Sequence, residues 1–173
     1  MGNLYQFIDG AEDSMRPVVY QGQKVDGYFV DNTLKENSFG DMMPAIYSEK
    51  TNKYLKPVSK KNEGRGDYPA VSLMMNHLPR RANGTIPAQI VPIHIIIMES
   101  AGPDIPPPFG VTQEEYDSCP ESVKKYLRRN RNGYNVDHIN ENKYDYRLEN
   151  LRWLTPKQNT QAWADNKRIS KDV

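Results

Sequence analysis

The stretch Thr155-Pro156-Lys157-Gln158 constrains this chain more than any other. A capping threonine, a proline at the first helical position and a glutamine three residues after the threonine mark a helix start. The helix it opens runs through Ala162-Trp163-Ala164 and ends near Asn166-Lys167-Arg168. Upstream stand two short β-prone segments, Tyr134 to Ile139 and Leu148 to Leu154, with Asn140, Glu141 and Asn142 signalling a loop between them. The unit is strand–loop–strand–helix. It carries Asp137 and His138 on its first strand, Asn150 twelve residues after the histidine, and Asn159 in the first turns of the helix. Trp153 and Trp163 are expected in the core, holding strand to helix.

A carboxylate, an imidazole and two amides in one small unit suit phosphodiester hydrolysis. That reaction needs a cation to take up charge on the phosphate and the leaving oxygen, and a base to deprotonate water. Asp137 offers a charged oxygen ligand and Asn159 a neutral one. Two such oxygens, with waters and a substrate phosphate, suit Mg²⁺ or Mn²⁺ rather than Zn²⁺. His138 is a candidate base, since an unperturbed imidazole titrates at about 6.5. The helix N-terminus would add favourable polarisation if it faced the phosphate. Arg147 and Arg152 are candidates for holding a nucleic-acid backbone. Tyr144 and Tyr146 read as loop tyrosines that either touch DNA or lie exposed.

Asp137-His138, Asn150 and Asn159, embedded in VDHINENKYDYRLENLRWLTPKQN, closely resemble the HNH nuclease family. The likeness is strong over residues 134–163 and points to the phage and intron-encoded homing endonucleases, in which Asn replaces the last His. It implies a ββα-metal motif with Asp137 and Asn159 as metal ligands and His138 as the base. It also implies that Asn150 braces the loop and orients the histidine. The implied activity is a Mg²⁺- or Mn²⁺-dependent endonuclease that nicks or cuts double-stranded DNA. A weaker likeness covers Tyr68 to Met98, where YPAVSLMMN and IVPIHIIIM resemble the strand and His-containing segment ahead of the site. Two departures fall in the loop: Asn140-Glu141 where the family often has Asp-Gly, and Tyr146 where it often has Asn. Both bear on DNA contacts rather than on the catalytic set.

The expected fold class is α+β, with a small antiparallel β-rich region at 1–102, a Pro-rich linker and basic helix at 103–133, and the nuclease unit at 134–173. In the front part, Pro17 to Tyr20 and Tyr28 to Val30 read as short strands separated by Gly22 and Gly27. Ala45 to Tyr47 and Lys53 to Val58 read as a hairpin around Thr51-Asn52, and Tyr68 to Met75 as a further strand. Ile86 to Met98 fits a strand by its isoleucines or a short buried helix from near Ile93, because the run ends without alternation. His94, inside it, is expected to be a hydrogen-bonded core histidine, and His77 a surface or DNA-facing one. PDIPPP at 103–108 is a rigid connector. Thr112 to Glu115 carries a capping-box pattern, and Pro120 to Asn130 a second helix with Lys124, Lys125, Arg128 and Arg129.

Net charge is only +1, but the charges alternate in blocks: −5 over residues 1–49, +6 over 50–81, −5 over 82–120 and +5 over 121–173. Phosphate binding depends on such clustering rather than on the total. The basic candidates for DNA contact are Lys53, Lys56, Lys60, Lys61 and Arg65 in the front part, with the α-helical quartet above; solvated loops are the competing reading. A single cysteine, Cys119, rules out an intrachain disulfide and a multi-cysteine zinc site. No apolar run is long enough to span a bilayer and no secretory signal is evident, so a cytoplasmic protein is expected. One site per chain cuts one strand, which leaves monomer and homodimer both open. Two other functions fit the sequence: a catalytically silent DNA-binding module, and a structural or inhibitor protein acting through its acidic front region.

Overall fold

The computed structural model describes residues 15–60 and 67–169; at residue 60 and residues 166–169 it covers the backbone alone. Lys61, Arg65 and the first 14 residues lie outside the described residues, as does the side chain of Lys60. Helices and antiparallel strands mix in an α+β arrangement.

Two sheets form the front of the molecule. The first runs β1 (Met15–Tyr20), β2 (Gln23–Glu36), β3 (Met42–Ser48) and β4 (Lys53–Tyr54) in that spatial order, each strand antiparallel to the next. Gln21 and Gly22 turn the first hairpin with φ of 55° and 68°, the left-handed pair that a two-residue turn requires. Gly27 does not separate two strands as expected. It sits inside one 14-residue strand at φ 81°, where the pairing of β1 with β2 slips between Pro17 and Val19. A bulge absorbs the glycine, and the strand continues.

Lys53 to Val58, expected as one strand, divides between two sheets. Pro57 cannot donate to a ladder, so β4 stops at Tyr54 and β5 (Val58–Lys60) pairs instead with β6 (Tyr68–Met74). With β7 (Ala88–Pro92) these make the second sheet, in the order β5-β6-β7. The isoleucine-rich run takes both forms in succession. It is strand as far as Pro92, then helix α1 (Ile93–Ala101), which buries Ile93, His94, Ile96, Ile97 and Met98. A helix that is apolar on nearly all sides belongs in the interior. Accordingly α1 packs against β1, β2, β6 and β7.

Helices α2 (Gln113–Ser118) and α3 (Glu121–Arg129) follow the proline connector. The expected capping box forms: the Glu115 amide donates to Thr112 Oγ1 at 3.2 Å, and the Thr112 amide to Glu115 Oε2 at 2.8 Å. The β1–β2 turn presses on α3 so closely that a Cβ at Gly22 would lie 2.6 Å from Arg128 Cβ. After α3, Arg131, Asn132 and Gly133 adopt φ of 50°, 52° and 89° in turn and redirect the chain into β8 (Asn135–His138). Buried Asn132 secures that turn by donating to the Pro106 carbonyl at 2.9 Å.

Strand β8 pairs antiparallel with β9 (Leu151–Leu154), and α4 (Pro156–Ile169) packs on both. One apolar cluster takes in Val30, Leu73 and Ile96 from the front and Tyr146 and Leu151 from the back. Tyr146 is therefore core rather than an exposed loop tyrosine; it is 1% exposed, and its hydroxyl accepts from Asn37 Nδ2 at 3.0 Å. Trp153 packs on the cluster and donates to the Pro103 carbonyl at 3.0 Å, as a core tryptophan should. Trp163 does not: it is 61% exposed, on the outer side of α4. No helix among the described residues is long and apolar enough to cross a membrane.

Candidate active site

The site is assembled by two short strands, a polar loop and a helix start. Thr155 and Gln158 form the reciprocal cap expected of them, with the Gln158 amide donating to Thr155 Oγ1 at 3.2 Å and the Thr155 amide to Gln158 Oε1 at 2.9 Å. This cap starts α4 directly after β9 and sets Asn159, half-buried, in its first turn, the amide donating to the Thr155 carbonyl at 2.9 Å. Asp137 and His138 come from the end of β8. Strand register puts Asp137 opposite Arg152 and His138 opposite Leu151.

Asn150 ties the loop shut. Its Oδ1 accepts from the Asn140 amide at 2.9 Å, while Nδ2 donates to Asn140 Oδ1 at 2.9 Å and to the Asp145 carbonyl at 2.7 Å. Its own carbonyl accepts from the Ile139 amide at 2.8 Å, one residue beyond His138. Asn140 Nδ2 in turn donates to Asp145 Oδ2 at 2.9 Å. Arg147 closes the network with two bonds to Asp145, from Nε to Oδ1 at 2.8 Å and from Nη2 to Oδ2 at 2.7 Å. This fork holds the Asp145 carboxyl below the usual carboxylate range, with the Asn140 bond adding to it. Asp145 escaped sequence reasoning; a lone aspartate in a polar loop carries no signal of its own.

His138 is only 7% exposed, and its Nε2 is enclosed without a hydrogen-bond partner among the described residues. Burial lowers its pKa, partly offset by the nearby carboxylates of Asp137 and Asp145, so the ring is held neutral. Its neighbours come from the front half. The ring of His94, from the first turn of α1, lies 4.8 Å away centroid to centroid at 58°. Tyr68 stacks 4.9 Å from His94 and 6.1 Å from His138, and the Lys143 ammonium sits 4.8 Å over the Tyr68 ring. His94 is a core histidine as expected, but its Nδ1 has no hydrogen-bond partner among the described residues. Burial, and then repulsion from His138 in its protonated form and from Arg131, push its pKa down to about 3.

The cationic candidates scatter over several elements, and those nearest the site are engaged. Arg152 Nε donates to Asp137 Oδ2 at 2.8 Å, and Arg147 is bound to Asp145. On α3, Arg128 pairs with Glu121 at 2.9 Å and Lys124 donates to the Asp117 carbonyl at 2.8 Å. Lys125 and Arg129 are exposed and line a cleft of about 260 Å³ with Gln21, Gln23 and His77. Lys53 and Lys56 are exposed on the first sheet, Lys56 beside a groove of about 580 Å³ between the two front sheets.

Residues 130–161, which span β8, the polar loop, β9 and the start of α4, match the model of the HNH endonuclease family. The matched segment is 32 of the 173 residues, and over it the chain is similar to that family. Members of that family are nucleases that bind DNA and generally use divalent metal ions. No curated protein and no solved structure matches the chain.

Proposed function

We propose that the chain is a divalent-metal-dependent DNA endonuclease of the ββα-metal type, working through His138. One observation carries this reading. Within the segment that matches the HNH family, Asp137 and a buried, neutral His138 end a strand that packs on the helix bearing Asn159.

His138 acts as the general base. Its Nε2 faces inward, which leaves Nδ1 to accept the proton of an attacking water. Asn150 braces the loop on either side of the strand end, and so fixes the direction from which the imidazole is presented. Asp137 and Asn159 fit a hard cation. Arg152 takes Asp137 Oδ2, orienting the carboxylate, and no hydrogen bond among the described residues engages Oδ1. One carboxylate and one amide oxygen, completed by waters and substrate phosphate, match the habits of Mg²⁺ or Mn²⁺. Bound there, the ion would supply Lewis-acid stabilisation of the phosphate and the leaving oxygen. The capped start of α4 would add favourable polarisation where it faces the phosphate.

Duplex DNA is held chiefly by the exposed Lys125 and Arg129 of α3 with Lys53 and Lys56, and the half-buried Lys124 and Arg128 support them. Arg147 and Arg152 shape the site through carboxylates instead of gripping phosphates. The likeness to homing endonucleases extends the proposal to an enzyme of phage or mobile-element origin.

Conversion of supercoiled plasmid tests the reading, with Mg²⁺, Mn²⁺ or EDTA and with His138→Ala alongside. Relaxation is expected in either ion and none in EDTA. The variant should lose about 10²–10⁴-fold in rate, the usual contribution of a general base, and still bind DNA. DNA binding without cleavage of plasmid or phage genomic DNA would make the chain a silent binding module.

A further inference from the structure

Two of the four buried side-chain atoms without a hydrogen-bond partner among the described residues are His94 Nδ1 and His138 Nε2. They belong to rings in direct contact. Buried polar atoms in folded proteins nearly always have a partner. Two unsatisfied nitrogens on touching rings are best explained by each other. An N–H···N bond between the two rings, or one enclosed water bridging them, would give both atoms a partner.

We propose that His94 is a positioning residue for the nuclease reaction, accepting a hydrogen bond at Nδ1 from His138 Nε2–H and so fixing the tautomer and rotation of the base. The inference rests on the reading of His138 as that base.

The proton count selects the direction of the bond. For His138 Nδ1 to take a proton from water, its lone pair must be free, so the ring's single proton sits on Nε2. That N–H is buried and needs an acceptor. His94 supplies one when its own proton is on Nε2 and its Nδ1 is bare. As His138 gains the second proton, the bond becomes charge-assisted and strengthens. A histidine and its oriented donor thus work as a pair, much as a carboxylate orients an imidazole elsewhere.

His94 suits the part because it stays neutral. It lies in the first turn of α1, where the helix end is positive, and no acidic residue stands in that turn. Its pKa of about 3 keeps it from competing for the proton. Tyr68 covers the other side of the pair and is itself covered by Lys143. This arrangement gives a functional reason for a histidine among Ile93, Ile96 and Ile97 in an otherwise apolar helix.

Two substitutions separate positioning from packing. His94→Leu fills the space and removes the acceptor. His94→Asn puts an amide oxygen where Nδ1 was. In single-turnover cleavage of plasmid DNA, the leucine variant should slow by about 10–100-fold, as loss of an orienting partner typically does. Its DNA affinity and melting temperature should hold, and the asparagine variant should recover most of the rate. ¹⁵N spectra of labelled histidine supply a readout that packing alone would not move: His138 should carry its proton on Nε2 in the unaltered chain and in His94→Asn, and become a mixture in His94→Leu. Unchanged rate and unchanged tautomer in His94→Leu would overturn the proposal. Should the leucine variant fail to fold, His138 protonated on Nδ1 in the unaltered chain would overturn it equally. If His138→Ala cleaves as fast as the unaltered chain, the nuclease reading falls instead, and the ¹⁵N spectra still decide whether the two rings are bonded.

Discussion

The front sheets and the β8–β9–α4 unit are stabilised by different physics. In the front, position follows burial: Val18, Val25, Val30, Leu73 and Val91 are fully enclosed, and α1 threads its isoleucines between the sheets. The site unit adds only Tyr146 and Leu151 to the buried members of that core, with Val136, Leu148 and Trp153 packed against it partly exposed. Its shape comes from hydrogen bonds, above all the ring of bonds joining Asn150, Asn140, Asp145 and Arg147. Apolar packing tolerates small shifts and repacks; a network of directional bonds does not. The residues proposed as the active site are therefore set in the second kind of structure, which is mounted on the first.

That contrast is broken most easily by paired substitutions. Leu73→Ala in the front core should cost about 2–5 kcal/mol of stability, while cleavage per folded molecule stays near normal. Asn150→Ala should cost less, about 1–3 kcal/mol for the polar groups it strands, yet remove most of the cleavage. Denaturant unfolding beside single-turnover rates measures both. If Leu73→Ala damaged catalysis as much as Asn150→Ala, the division between the two regions would be wrong.

Gly22→Ala probes the place where the front sheet meets α3. The new Cβ would stand against Arg128 Cβ on a backbone at φ 68°, and a left-handed alanine alone costs about 1–2 kcal/mol. Melting should show that loss, with metal-dependent cleavage retained at low salt.

Arg147→Ala gives the smallest effect and the sharpest reading of the loop. The guanidinium holds the Asp145 pKa below its unfolded value. The stability this contributes is present above the unfolded carboxylate pKa of about 3.9, and is lost as pH falls toward the depressed folded value. Without Arg147 that increment shrinks. The fall in melting temperature between neutral pH and pH 3 should be shallower in the variant, from a lower starting point at neutral pH. An equally steep fall would mean that Asp145 is held by the loop amides alone.

The two halves also differed in legibility. The site unit could be read from sequence because its signals are local: Thr155 caps with Gln158, Pro156 begins the helix, and a strand precedes each turn. The front was harder because its elements are decided by partners far along the chain. Nothing local says that β2 continues through Gly27 by bulging, or that Pro57 hands Val58 to a second sheet. The isoleucine run satisfied strand and helix alike, and only burial on nearly all sides made α1 a helix. Side-chain roles followed the same rule. Tyr146 looked like a loop residue until Asn37 reached it from the end of β2, and Trp163 looked like core although α4 leaves it 61% exposed. Arg147 and Arg152 read as DNA contacts because their carboxylate partners, Asp145 and Asp137, are fixed by loop closure and strand register. His94 was read as core, but its position against His138 depends on α1 and β8 meeting, which spacing in the sequence does not encode.

The most direct measurement is a crystal of His138→Ala with a DNA duplex, soaked in Mn²⁺ and recorded at the manganese edge. A single anomalous peak should stand about 2.1 Å from an oxygen of Asp137 and an oxygen of Asn159, with a phosphate oxygen completing it. DNA lying across the β8–β9–α4 unit with the ion elsewhere, or with no ion at all, would contradict the account.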